Sequence, residues 1–240
     1  MNEKTQQDNK ALIDFWDKVQ TMSDEDRAQA LADEIGPDDW KTFAPSEKIF
    51  NAACLLGKQQ KVLDYGCGIG WAAITAAKSG CPDVTAVDVS AGPVDTTRFY
   101  ADLLGLQDQL HTACVSTDWL HSVSSGTYDG FICSNVLDVV PPEIAEDILR
   151  ESARVTTPDA LVIIGMNYYM SPERAAEKGE ELVNGNMVYE DGVLRLVSRS
   201  DEEWAQIFSP WYFVEKLDHF AWPGESAERR RLFILRRKSL

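Results

Sequence analysis

The segment Asp64-Tyr65-Gly66-Cys67-Gly68-Ile69-Gly70 constrains this chain more than any other. It overlaps the end of a short apolar run, 61–65, that reads as a strand, and it leads into a helical pattern over 70–79. Glycines at alternate positions between a strand and a helix allow positive φ and let the backbone approach a ligand closely. The helix that opens there presents free N–H groups and the positive end of its dipole. The segment therefore predicts a binding loop at the carboxyl end of a strand, where open α/β sheets hold their ligands.

The rest of the chain repeats that rhythm. Strands are expected at 84–88, 110–115, 128–134 and 160–165. Helices are expected at 92–104, closed by Gly105, and from Pro141-Pro142 to about residue 155. Strands alternating with helices imply a parallel sheet covered on both faces, doubly wound if the crossovers are right-handed. After Gly165 the rhythm breaks. Residues 166–199 hold aromatic and acidic residues and a hairpin around Glu190-Asp191-Gly192. Ser200-Asp201-Glu202-Glu203 is a capping box for a helix to about residue 208. Two strands, 211–220 and 231–236, follow without a helix between them and should pair antiparallel. The expected fold is α/β, a doubly wound, seven-stranded, mostly parallel, Rossmann-like sheet with a terminal antiparallel hairpin.

Residues 1–58 read as helical: an apolar stretch over 11–19, a second helix from the Ser23 cap to a stop at Gly36-Pro37, and a third from Pro45 to Gly57. The expected organisation is an N-terminal helical cap or lid over 1–58, then a main domain over 59–240 carrying a substrate-side insertion at 166–199, all in one compact unit.

With 44% hydrophobic and 10% aromatic residues the chain has enough apolar mass for a sizeable core. No apolar run is long enough to span a bilayer, and MNEKTQQDNK lacks a basic-then-apolar leader pattern, so a cytoplasmic location is expected. The five cysteines form no C-x-x-C pair and read as reduced thiols, neither a disulfide frame nor a metal site. The net charge is −16, and residues 61–164 are the most acidic third, with 5 basic against 14 acidic side chains. Such a surface repels phosphate backbones and disfavours a nucleic-acid substrate.

Two further acids sharpen the binding-loop reading. Asp88 ends the second strand, where a carboxylate can accept from the vicinal hydroxyls of a ribose. Asp118 follows the third strand and precedes Trp119; the acid can accept from an adenine amino group and the indole can wall the base. Asp64, Asp88 and Asp118 would thus end successive strands on one edge of the sheet. A dinucleotide fingerprint needs a glycine where this chain has Trp71, which disfavours a nicotinamide oxidoreductase. No Lys-Ser/Thr pair follows the loop, which excludes a P-loop.

At these residues the chain resembles the class I S-adenosylmethionine-dependent methyltransferases. The matching pieces are VLDYGCGIG at 62–70, VDVS at 87–90, STDWL at 116–120 and YDGFICSNVLDVV at 128–140. Thr157-Pro158-Asp159-Ala160 stands where many relatives carry a Pro-Gly-Gly turn. The resemblance implies S-adenosyl-L-methionine as cofactor and S-adenosyl-L-homocysteine as product. It implies that Asp64, Gly66, Cys67, Gly68 and Gly70 form the loop at the methionine end. Asp88 would hold the ribose with Val89 beside the adenine, Asp118 and Trp119 would bind the adenine edge, and Asn135 and Val136 would border the reactive methyl. The reaction would be an in-line displacement that needs mainly alignment and exclusion of water.

No catalytic residue is assigned. Asp138, just past Asn135, could orient an acceptor. Trp16, Trp40 and Phe43 of the cap, with Asn167 and Tyr168 of the insertion, are the candidate acceptor-pocket residues. The expected partner is a small-molecule methyl acceptor; a protein acceptor and a non-catalytic cofactor-binding module are the alternatives.

Overall fold

The computed structural model describes residues 3–33, 36 and 38–239. A seven-stranded sheet has the order β3-β2-β1-β4-β5-β9-β8. Its strands are β1 (Val62–Tyr65), β2 (Val84–Asp88), β3 (Leu110–Cys114), β4 (Tyr128–Ser134), β5 (Thr156–Met166), β8 (Tyr212–Phe220) and β9 (Arg230–Arg237). The first five are parallel, and β9 is antiparallel to both β5 and β8. The strand order reverses between β1 and β4, so the carboxyl ends of these two neighbours open the crevice in which such sheets bind ligands.

Side-chain alternation along the central strands fills two cores. Leu63, Phe131, Cys133 and Val162 face one side, against Ile148 and Leu149 of α6 (Pro142–Val155) and Trp204 and Phe208 of α8 (Asp201–Phe208). Val62, Ile132 and Ile163 face the other, against Ile49 and Ala53 of α3 (Glu47–Cys54), Ile74 of α4 (Trp71–Lys78) and Ala101 of α5 (Ala91–Leu103). The central strands are apolar on both sides because both are covered. β3, at the sheet edge, departs from the expected pattern: His111, Ala113 and Cys114 are exposed. β5 begins at Thr156, before the predicted start, and Asp159 takes φ +61° within it.

Local chemistry explains the helix boundaries. Ser46 caps α3 through Ile49 N, one residue beyond the predicted opening at Pro45. The capping box of α8 is formed: Ser200 Oγ accepts from Glu203 N and Glu203 accepts from Ser200 N. α1 (Glu3–Gln20) and α2 (Asp24–Ala32) form the first part of the helical segment. The expected stop of the second helix falls partly outside the described residues, at Pro37; α2 itself ends at Ala32.

Between β5 and α8 lie two features. The expected hairpin is present as β6 (Met187–Glu190) and β7 (Val193–Val197), a separate two-stranded sheet. α7 (Pro172–Lys178) was not expected from the sequence. Its signals are a Ser171 cap accepting from Arg174 N, proline at the first turn, and Gly179 at the end with φ +70°.

Gly70 tests the loop that joins β1 to α4. It has φ +82°, and a Cβ would sit 2.5 Å from Thr97 Cγ2. Gly192, at the hairpin tip, has φ +77° with open space around it. Replacing Gly70 with alanine should cost about 2–4 kcal/mol of stability, from left-handed strain plus the clash, whereas Gly192→Ala should cost only about 1 kcal/mol. Urea unfolding of the two variants beside the parent measures the difference, and equal losses would show that Thr97 moves freely aside.

Candidate functional site

The carboxyl ends of β1, β2 and β4, the glycine loop and α1 enclose a cavity of about 510 Å³. Its floor is built locally. Gly66 N and Cys67 N both donate to Val87 O, at 2.8 and 3.0 Å, which folds the loop back over β2. Gly66 has φ +73°, and a Cβ there would collide with Val136. Gly68 has φ +53°, and its carbonyl accepts from Thr97 Oγ1 at 2.8 Å.

Two carboxylates reach into this space. Asp64 is 2% exposed, and one oxygen accepts from Ala73 N of α4 at 3.0 Å. Burial pushes its carboxyl up to about 7, with the neighbouring Asp88 adding to the rise and the Ala73 bond opposing it. Asp88 accepts from Gly68 N at 3.1 Å on one oxygen and from Ser90 N at 3.0 Å on the other. Burial raises its carboxyl too, against those backbone bonds. Each oxygen retains a lone pair for a ligand hydroxyl. Among the described residues no lysine, arginine or histidine lines this cavity. Its fixed charge is negative and uncompensated, so it attracts a cation and repels a phosphate.

α1 forms the opposite wall with Leu12, Ile13, Trp16 and Gln20. The helix is seated on α5 by polar contacts: Gly92 N donates to Asp17 Oδ1 at 2.8 Å, and Met22 N donates to Thr96 Oγ1 at 3.2 Å. Asp17 thereby supplies a carboxylate to the amino end of a neighbouring helix.

A second cavity of about 420 Å³ adjoins the first. Trp16, Asn135, Val139 and Trp222 line both. The second is otherwise built from β5's end, the hairpin and β9, with Asn167, Tyr168, Tyr189, Arg195 and Arg230 in its wall. Asn135 stands in the partition. It has φ +58°, a left-handed conformation that asparagine tolerates better than most residues. Its Nδ2 donates to Asn167 Oδ1 at 3.0 Å. Asn167 is held in turn: its N donates to Asp138 Oδ2 at 2.7 Å, its carbonyl accepts from Arg231 Nε at 2.8 Å, and Arg230 Nη1 donates to its side chain. Asp138 is fully buried, and burial raises its carboxyl while the charge of Arg231 opposes the rise.

The sequence-predicted residues fall into three groups. Asp64, Gly66, Cys67, Gly68, Asp88, Val89, Asn135, Val136, Trp16 and Phe43 line the first cavity. Asn167 and Tyr168 line the second. Gly70, Asp118, Trp119, Trp40 and Asp138 line neither. Gly70 shapes the loop from behind. Asp118 is exposed and accepts from Ser116 Oγ at 2.5 Å; Val115 and Thr117 face the cavity instead. Trp119 packs against the α6-side core. Trp40 is buried against Phe50, with ring centroids 5.7 Å apart. Asp138 supports Asn167 from beneath. Sequence reasoning missed Leu12, Ile13 and Gln20, whose place depends on how α1 docks, and Trp222, which follows β8 in a loop marked only by Pro223-Gly224.

Residues 62–159 match the family model of a methyltransferase domain, and the sheet around them has the Rossmann-like fold found in solved S-adenosylmethionine-dependent methyltransferases. Two curated relatives illustrate the range. A ubiquinone biosynthesis O-methyltransferase of Neisseria meningitidis serogroup C is 26% identical over 158 residues, 66% of this chain and 60% of that protein. A ribosomal protein L11 methyltransferase of Cupriavidus metallidurans is 30% identical over 145 residues, 60% of this chain and 40% of that protein. The chain thus spans less than two thirds of the length of either. Among solved structures, an S-adenosylmethionine-dependent methyltransferase from Mesorhizobium loti superposes with TM-score 0.63 at 16% identity, over 82% of this chain and 100% of that one. The Burkholderia thailandensis 1,6-didemethyltoxoflavin-N1-methyltransferase, solved with 1,6-didemethyltoxoflavin and S-adenosylhomocysteine, superposes with TM-score 0.62 at 16% identity, over 89% of this chain and 87% of that one.

The raised Asp64 carboxyl has a stability signature. Unfolded, it loses its proton near 3.8; folded, it keeps it to about 7. Between those values the folded state binds more protons, so this group's contribution falls as pH rises and reaches its floor above 7. Asp64→Asn keeps an acceptor for Ala73 N and removes the titration. The variant should be more stable than the parent at pH 8, by up to about 4 kcal/mol, with the gap closing towards pH 4. Urea midpoints across that range measure it; a constant gap would place the carboxyl elsewhere.

Proposed function

We propose that this protein is an S-adenosylmethionine-dependent methyltransferase that acts on a small-molecule acceptor, with S-adenosyl-L-homocysteine as its product. The observation that carries the reading is a cavity in which, among the described residues, the acidic and basic side chains are the two buried carboxyls of Asp64 and Asp88 alone, sharing a wall with a second, aromatic-lined cavity. A cofactor with sulfonium and ammonium charges suits the first. A pyrophosphate would meet Asp64 and Asp88 with no cation to offset them. The group supplies, when bound, a methyl that is already electrophilic.

The chain's own residues hold and align. Asp88 is placed to accept from a ribose, with Val89 beside the base. The glycine loop with Asp64 takes the amino-acid end. Val115 and Thr117, which line the cavity beside the segment Asp118-Trp119, would wall the base in this reading. Asn135, fixed by Asn167 and through it by Asp138, forms the border at which the two ligands would meet. Asp138 is a positioning residue in this reading. The helical segment 1–58 acts as a lid through α1, and 166–199 supplies the acceptor side. These elements exclude water from the alignment step.

The small-molecule reading is favoured by the second cavity's size and by its enclosure between α1 and the hairpin. Tyr189 Oη donates to Asp8 Oδ2 at 2.8 Å, joining the hairpin to α1 over it. The acidic surface continues to disfavour nucleic acid. Among the described residues no helix is long and apolar enough to cross a membrane, and a cytoplasmic, reducing location fits the buried thiols Cys67, Cys81 and Cys133.

Calorimetry with S-adenosylhomocysteine and with NAD tests the cofactor. The first should bind and the second should not; the reverse result would reject the reading. Asp88→Ala should weaken S-adenosylhomocysteine binding at least about tenfold, since a hydrogen bond to a charged group contributes about 1.5–3 kcal/mol. Near pH 7 binding of S-adenosylmethionine, whose sulfonium gives it a net positive charge, should release about half a proton, because that charge draws Asp64 into its charged form. Repeating the titration in buffers of different ionisation enthalpy measures that release.

A further inference from the structure

We propose that the second cavity receives its acceptor as an anion, a planar aromatic molecule carrying an acidic group, and that Arg195 is its counter-charge. The inference rests on the methyl-transfer reading above. The wall offers flat surfaces for such a ring in Trp16, Tyr168, Tyr189 and Trp222.

The two guanidinium groups in this wall differ. Arg230 is fully engaged. Its Nη2 donates to Glu225 Oε1 at 2.7 Å, its Nε lies within 3.0 Å of both Glu225 oxygens, and its Nη1 donates to Asn167. Its plane lies 3.5 Å from the centroid of Trp222. Arg195 is held by aromatic faces, 4.1 Å from the centroid of Phe15 and 5.5 Å from that of Trp16. Such contacts fix a cation without using its N–H groups. Its ion pair with Glu190 is long, 3.5 Å, and that carboxylate is 72% exposed. Arg195 itself is 28% exposed, and no hydrogen bond occupies its fork among the described residues. A guanidinium so placed is a ready partner for a carboxylate or an aryl oxyanion. Glu180 and Glu190, the acids in the same wall, are exposed and screened by water. Of the two guanidinium groups in this wall, Arg195 is the one with N–H groups left for a ligand.

A second observation points the same way. None of the three histidines lines either cavity, and no lysine does. His121 is bound to Asp147 at 2.8 Å and His219 lies 3.3 Å from Asp201. A neutral hydroxyl acceptor has to give up a proton as its new bond forms; among the described residues the walls offer no histidine or lysine to take it, only the backbone-bonded Asp64 and Asp88 and the exposed Glu180 and Glu190. An ionised acceptor has no such need. Its lone pair forms the bond to the methyl carbon, the methyl–sulfur electron pair stays on sulfur, and the two opposite charges vanish together with no proton to place. Arg195 favours the ionised acceptor before transfer, and a product that has lost its charge is held less tightly.

The test uses three probes on one ring: 3,4-dihydroxybenzoate, 4-methylcatechol and 3,4-dihydroxybenzylamine, which are anionic, neutral and cationic near pH 7.5. Each is titrated by calorimetry into protein saturated with S-adenosylhomocysteine. The benzoate should bind about tenfold more tightly than the methylcatechol, and the amine more weakly than both. Arg195→Gln should abolish the preference for the benzoate, Arg195→Lys should keep most of it, and both should leave the methylcatechol within about twofold of the parent. Equal or tighter binding of the neutral or cationic probe overturns the inference. So does an equal loss of all three in Arg195→Gln, or no benzoate binding up to about 10 mM. S-adenosylhomocysteine binding to each protein is measured first. Its presence without the charge order defeats the anion inference alone; its absence defeats the methyl-transfer reading and this inference together.

Discussion

Two carboxylates share an apolar cavity with no basic side chain to neutralise them, and much of the rest of the structure follows from holding them there. Buried negative charge is costly unless it is hydrogen-bonded or offset. The fold supplies the first remedy with backbone N–H groups: Ala73 for Asp64, Gly68 and Ser90 for Asp88. Those donors come from the glycine loop and from the starts of two helices, the parts of a βα unit that have N–H groups to spare. The second remedy is left to a ligand. In the proposed reading that ligand brings positive charge, which would favour the ionised form of the Asp64 carboxyl that burial disfavours.

Beyond this anchor, the site is assembled by long-range docking. Asn135 follows β4, Asn167 follows β5, Asp138 lies in the loop before α6, and Arg230 and Arg231 begin β9. Three of these residues, Asp138, Arg230 and Arg231, hold the Asn135–Asn167 amide pair at the partition between two cavities. α1 reaches across from the other end of the chain, with Asp17 on α5 and Asp8 on the hairpin's Tyr189. The arrangement concentrates rigidity at the partition and leaves the outer walls to α1 and the hairpin.

How much of this was legible in the sequence depends on the distance over which each signal acts. The β1–loop–α4 unit, the strand rhythm and the α8 cap are written in adjacent residues, and the structure places them as expected. The seat of α1 is written in pairs 74 or more residues apart, such as Met22 with Thr96 and Asp17 with Gly92, and no local pattern announces it. Asp118 and Trp119 illustrate a finer limit. The strand-end rule brings the chain to the cavity, but Thr117 faces it, because the turn after β3 directs Asp118 back onto Ser116. Trp40 and Phe43 belong to one short turn, yet only Phe43 reaches the cavity while Trp40 enters the core. Arg195 read only as a strand residue, since its aromatic clamp comes from α1.

Trp16, Asn135, Val139 and Trp222 each belong to both cavities. Divergence at any of them would reshape two volumes in one step, so selectivity for one ligand cannot drift there without disturbing the other. Tyr168, Tyr189 and Arg195 face one side only. Evolutionary change of acceptor, or its deliberate redesign, therefore has a short list of independent dials, and they lie on the far side of the partition from the glycine loop.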